Sequence, residues 1–352
     1  MKGSNKLLNI IIPCLIWFTE GRNFAVVIST SRYWSNYRDK TNMGVFYHTL
    51  KQHGVGDGRI VSMFSEEIAC HPRNPFPGQI YEGSPRTGSL ARTGGVEIRG
   101  SEISREKFFK FLHKRQPPYT PRSNRLVTES DSRILVYFTG HSAVGYTKFQ
   151  DLEDVDANDV AHALEHLWQT QSYSNLLWIG DTCRAASIHN AFYSPGLIAI
   201  GSSNEVDKSY SLPNVPEIGE SVMDRFTLAS RVAFERLKRN LTVREYVGGM
   251  DPKWLGAEVT HKVTELTPGL ESELIEFFGD SDQITRLDIQ IGQWLRAQSS
   301  TFPRSDSSVL SFLDSQQPLV SIPFGGVQNG HGSSWNVLWL CPLFIIGFIA
   351  LV

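Results

Sequence analysis

Two short stretches carry residue types that together can break an amide bond: Tyr137-Phe138-Thr139-Gly140-His141 and Gly180-Asp181-Thr182-Cys183-Arg184-Ala185. Each follows an apolar run of strand character, Ile134–Phe138 and Leu176–Ile179. In parallel α/β sheets, reacting groups collect beyond the carboxyl ends of the strands. One run therefore delivers an imidazole to such an end and the other a thiol. The 42 positions between His141 and Cys183 suffice for a strand–helix–strand crossover that returns the Cys beside the His. A free thiol has a pKa of about 8.5, so little thiolate exists near neutrality without a base. His141 can serve as that base and then return the proton to a departing amine. Ala185-Ala186-Ser187 reads as a helix start, whose free N–H groups also favour a thiolate.

The elements that must position this pair follow from the hydrophobic pattern. Asn23–Ser29 and Ile60–Phe64 read as buried strands, with a helix over Asp39–His53 between them. Residues 70–125, rich in Pro, Gly, Arg and Ser, read as a surface excursion with one helix at Glu102–Leu112. A helix over Ala157–Gln171 joins the His strand to the Cys strand. Leu197–Gly201 is a further strand, and Gly219–Arg239 and Leu266–Phe278 read as helices. This alternation predicts an α/β fold with a mostly parallel sheet.

Composition narrows the classes. The 352 residues carry 34 basic and 36 acidic side chains without a basic stripe, so a nucleic-acid partner is not expected. Lys2 and Lys6 precede the apolar run Leu7–Phe18, the pattern of a secretory signal peptide over residues 1–21, with an uncleaved anchor as the alternative. Asn336–Val352 is uncharged, flanked by Trp335, and contains Trp339 and Pro342. That pattern predicts a membrane-spanning helix over 335–352, reached through a linker at 296–334. The small residues Asn329–Ser334 before that apolar end leave open a second reading, a processed lipid-attachment signal. Between the ends, a main domain over 22–250 and an annex over 251–295 are expected. Cys14 and Cys341 fall in the apolar termini, leaving Cys70 and Cys183 in the body. If Cys183 is a nucleophile, Cys70 is an odd thiol that either pairs with another chain or lies buried. Asn240-Leu241-Thr242 is an N-glycosylation acceptor pattern.

Around these residues the chain resembles the caspase–legumain clan of cysteine peptidases, and within it the GPI-anchor transamidases. The resemblance is carried by Asn23–Val27, Thr30–Trp34, Asn36-Tyr37-Arg38, Ala69–Pro75, Lys148-Phe149-Gln150-Asp151, Phe192–Pro195 and Met223-Asp224-Arg225. It covers residues 22–240, with weaker traces to 280. It implies a caspase-like α/β/α sandwich with Cys183 as nucleophile, His141 as base and Asn36 orienting the imidazole. It further implies oxyanion donors in the Ser142 and Cys183 amides, and a substrate pocket including Arg38, Ser202 and Ser203. Cys70 would bridge to a partner subunit. No cofactor is required; a structural calcium would map to Asp57, the Ile60 carbonyl and Glu97, weakened by Arg99 where an acidic ligand is expected.

The activity so implied is removal of a C-terminal signal peptide from a proprotein and transfer of the acyl group to the ethanolamine amine of a GPI lipid. The setting would be the lumenal side of the endoplasmic-reticulum membrane, within a multi-subunit complex. A legumain-like asparaginyl endopeptidase and an inactive scaffold paralogue are the alternatives. Two departures bear on them: Asp39 follows Arg38 where the family has His, and Ser142 follows His141 where the clan has Gly. If Ser142 holds a strained backbone, Ser142→Gly should preserve or raise turnover.

Overall fold

Asn23–Ser29 is buried along its whole length, as a strand covered on both faces must be, and forms β1. The structure, a computed structural model, describes residues 23–85, 96–121, 124–237 and 240–279. The other sheet strands are β2 (Ile60–Phe64), β3 (Val96–Arg99), β4 (Arg133–Gly140), β8 (Asn175–Thr182), β9 (Leu197–Gly201) and β10 (Thr260–Val263). They lie in the order β10-β9-β8-β4-β1-β2-β3, parallel except for antiparallel β10. A three-stranded antiparallel sheet, β5 (Ser142–Ala143), β6 (Tyr146–Phe149) and β7 (Glu153–Asp156), fills part of the β4–β8 crossover.

Alternate side chains of the central strands feed two cores. Phe24, Val26, Ile134, Val136, Leu176 and Trp178 face one side, with α2 (Arg105–Leu112) and α3 (Ala157–Gln169) over them. Ala25, Val27, Leu135, Tyr137, Leu177 and Ile179 face the other. There they meet α1 (Tyr37–Gln52), α5 (Arg225–Phe234), α6 (Val243–Gly248) and α8 (Ile275–Phe278). Burial on both faces by helices defines the expected α/β/α sandwich. The helices start where side chains can satisfy their first N–H groups. Ser104 accepts from Lys107 N at 3.1 Å, and Thr242 and Glu245 form a reciprocal cap on α6.

Several sequence expectations change. The excursion 70–125 contributes β3, an edge strand of four residues. Residues 219–224 are not helical; α5 begins at Arg225, after Ser211 and Asp224 pair as an isolated bridge. Leu266–Phe278 is not one helix, because Pro268 and the left-handed Gly269 (φ 76°) break it into a turn and the short α8. The expected boundary at 250 does not separate an annex over the described part of 251–295. β10 completes the main sheet, and Phe277 and Phe278 are buried against β1 and β4. The expected signal peptide, linker and membrane helix lie outside the described residues. Among the described residues, no helix is long and apolar enough to cross a membrane.

Candidate active site

The parallel register of β4 and β8 ends with Thr139 opposite Asp181 and Gly140 opposite Thr182. His141 and Cys183 are each the next residue, so both catalytic candidates leave neighbouring strands at one level. Both side chains are half-buried. Gly140 fits there because it has no side chain: an added Cβ would stand 2.1 Å from Thr30 Oγ1, at a φ of +149°. Thr30 N donates to Thr139 O at 3.0 Å, drawing the end of β1 against the same edge.

The two peptide units flanking Cys183 are held almost completely. The Thr182 carbonyl accepts from Ser202 Oγ at 3.1 Å and Ser203 Oγ at 2.8 Å. Thr182 N donates to Ser202 Oγ at 3.1 Å, and Ala185 N to Ser203 Oγ at 3.0 Å. Beyond the sulfur, the Cys183 carbonyl accepts from Ser142 Oγ, and Arg184 N donates to Asp207 O at 2.9 Å. The Cys183 N–H follows the last pair of the β4–β8 ladder, next to Gly140. The Ser142 N–H is directed outward. Lys148 N donates to His141 O at 2.9 Å, so residues 141 and 148 are a bonded pair of the hairpin. The next pair, Ser142 and Thr147, is then of the non-bonded kind. These are the two amides expected to meet an oxyanion.

Ser202 and Ser203 depart from the substrate pocket assigned by resemblance. Both are essentially buried, at 1% and 0% exposure, and their hydroxyls hold the backbone before Cys183. They brace the turn instead of meeting a substrate. Asn36 sits in a single 3-10 turn before α1, buried, with its Nδ2 donating to Arg32 O at 2.6 Å. No hydrogen bond joins it to His141 among the described residues. Its carboxamide oxygen keeps the capacity to accept one.

Arg38, on α1, reaches a cluster that sequence reasoning missed. Its Nε lies 3.0 Å from Asp224 Oδ1 and 3.7 Å from Asp39 Oδ1. Asp181, two residues before Cys183, accepts from Thr227 Oγ1 at 2.7 Å, Tyr137 OH at 3.2 Å and Ser209 Oγ at 3.2 Å. All three carboxyls are buried. Burial, and then the charge of Asp181, push the Asp224 carboxyl up to about 8; burial likewise raises Asp181. Burial works against the Arg38 charge, but Asp39, Asp224, Asp181 and Cys183 together hold the guanidinium above its ordinary range. Burial thus favours the protonated forms of Asp181 and Asp224 beside one guanidinium. The only sequence hint was a lone Asp in the apolar run before Cys183.

Of the residues that the resemblance assigns to calcium, Asp57 is already engaged by a lysine. Asp57 Oδ1 already lies 2.9 Å from Lys51 Nζ and accepts from Tyr47 OH at 2.7 Å. The Lys51 bond, then that of Tyr47, holds its carboxyl below the usual range. Arg99 pairs with Glu67 at 3.3 Å. Ile60 begins β2 beside them, and Glu97 lies on β3 opposite Ser62, its side chain outside what the structure describes. Asp57 is thus already engaged by a cation, while Arg99 lies opposite Phe64, at the other end of β2 from Ile60. Among the described residues, no group of three or more His, Cys, Asp or Glu is arranged for a metal ion. Cys70 is exposed at the end of a 3-10 turn over Ile68–Cys70, and Asn240 is exposed on a left-handed turn before α6.

A thiol and an imidazole leaving neighbouring strands at one level fit a cysteine peptidase type of acyl-transfer site. Residues 23–242 match the peptidase C13 family, and the chain belongs to that family. Its relatives within that family include GPI-anchor transamidases. That of Schizosaccharomyces pombe is 34% identical over 302 residues, covering 84% of this chain and 80% of the relative. Those of Saccharomyces cerevisiae and Homo sapiens are 37% and 41% identical. Their matches cover 64% and 58% of this chain, and 55% and 52% of those relatives, about half their length. Among solved structures, caspase-1 of Spodoptera frugiperda overlaps 70% of this chain and 87% of its own, at 9% identity and a TM-score of 0.38. The architecture above rests on this chain's own topology.

Proposed function

We propose that this chain is the catalytic subunit of a transamidase that exchanges a C-terminal signal peptide on a proprotein for a GPI lipid. Cys183 Sγ, deprotonated by His141, attacks the carbonyl at the attachment residue, and the oxyanion meets the Cys183 and Ser142 N–H groups. His141 returns the proton to the departing peptide amine. The thioester is then opened by the lipid's ethanolamine amine, which loses a proton to His141 as the amide forms and the thiol is released. Asn36 would orient the imidazole, and Arg38 would face the attachment residue. No cofactor enters these steps. The observation that carries the reading is the shared level of His141 and Cys183 at the ends of β4 and β8.

The wider setting is part of the same proposal. The chain would enter the endoplasmic reticulum on its N-terminal signal, be held by its apolar C-terminal segment and work on the lumenal side within a multi-subunit complex. Cys70 is exposed and would bridge to a partner subunit, while Asn240 would accept a glycan. In cells whose only copy is Cys183→Ala, GPI-anchored proteins should vanish from the surface while the chain itself persists. Normal anchoring in those cells would refute the assignment.

A further inference from the structure

We infer that the Ser142 hydroxyl is a positioning residue of the catalytic centre, tying the loop that carries the base to the peptide that follows the nucleophile. The inference rests on the proposed reading of His141 and Cys183 as the reacting pair.

Arg184 is a non-glycine residue in the left-handed region, with φ 52° and ψ 36°. Such a conformation persists only where its surroundings hold it. The peptide between Cys183 and Arg184 is the unit whose rotation would release it. That unit is fastened at both poles: its carbonyl accepts from Ser142 Oγ, and its N–H donates to Asp207 O at 2.9 Å. The preceding peptide is fixed by Ser202 and Ser203. Of the side chains in this clamp, only that of Ser142 comes from the His141 loop.

Ser142 is not strained. It lies in β5, paired with Thr147, and does not have a positive φ. The expectation that glycine would relieve strain there therefore has no basis, and its side chain has a bonded role instead. A second tie runs parallel to it: Gly145 N donates to Ser187 Oγ at 3.0 Å, joining the same hairpin to α4 (Ala185–His189). Ser187 Oγ also donates to Ala143 O at 3.3 Å, but of these ties only the Ser142 bond reaches the peptide next to the sulfur. Its loss should leave the fold standing while the Cys183 amide and sulfur lose their setting against His141. Alanine at 142 keeps the backbone amide, so it removes the tie without removing an oxyanion donor.

The test is made on the intact complex with Ser142→Ala, Ser142→Gly and Ser142→Thr, and with Cys183→Ala as reference. Ser142→Ala should lower kcat roughly tenfold with KM within about twofold, the signature of lost alignment and not lost binding. The rate of Cys183 alkylation by iodoacetamide should fall in parallel, with the thermal midpoint unchanged. Threonine, which retains the hydroxyl, should recover most of the rate, and glycine should not exceed alanine. Wild-type turnover in the alanine or glycine variant, or a loss matched by a lowered thermal midpoint and not rescued by threonine, would overturn the inference. If Cys183→Ala itself retains transfer, it is the underlying functional reading that fails.

Discussion

Gly140 and Thr182 are register partners on β4 and β8, and the residues that follow them are His141 and Cys183. The approach depends on the bare Cα of Gly140, packed against Thr30. Gly140→Ala should therefore lower stability by about 3 kcal/mol, since a methyl group must enter filled space at an unfavourable φ. Urea unfolding measures this; a change below about 0.5 kcal/mol, the range of neutral surface substitutions, would show that the β1–β4 edge is looser than described.

Ser203→Ala should also destabilise, by about 1–3 kcal/mol, because Ala185 N and one bond to Thr182 O lose a buried partner. Turnover should fall with it, since the affected peptide adjoins Cys183. A variant that loses only substrate affinity, with stability and kcat intact, would restore Ser203 to a substrate pocket.

The buried acids give the fold a pH dependence of definite sign. An unfolded Asp titrates near about 4, whereas Asp224 in the fold is raised to about 8. Between those values the folded protein keeps a proton that the unfolded chain has lost. This group's contribution to stability therefore falls as pH rises through the window and levels above it. Asp224→Asn removes the titration. Its stability relative to wild type should become steadily more favourable from about pH 5 to about pH 8.5. A difference that is flat or of opposite slope would contradict the assignment.

Cys70→Ser should abolish any partner-linked band on non-reducing gels of membrane extracts while weakening activity only partly, since non-covalent contacts remain. Wild type migrating as a monomer without reductant, after alkylation, would show Cys70 to be an unpaired thiol.

The His and Cys stretches were legible because each is a polar residue closing an apolar strand, a pattern that fixes both position and exposure. The role of Ser202 and Ser203 was not, because a hydroxyl bonded to backbone and one facing a ligand look alike in sequence. The Asp39, Asp181 and Asp224 cluster was hidden by its spacing, with α1, β8 and the start of α5 meeting only in the folded chain. Edge strands escaped for a related reason. β3 has four residues inside a Pro- and Gly-rich stretch, and β10 alternates half-buried and exposed Thr-His-Lys-Val, which is no apolar run.

Capture of the acyl-enzyme bears most directly on the central claim. The complex is mixed with a proprotein peptide without the lipid amine, quenched in acid and digested, and each cysteine peptide is weighed. Wild type should carry the acyl mass on Cys183, Cys183→Ala should carry none, and His141→Ala should accumulate it far more slowly. An acyl group on another residue, or transfer by Cys183→Ala, would contradict the account.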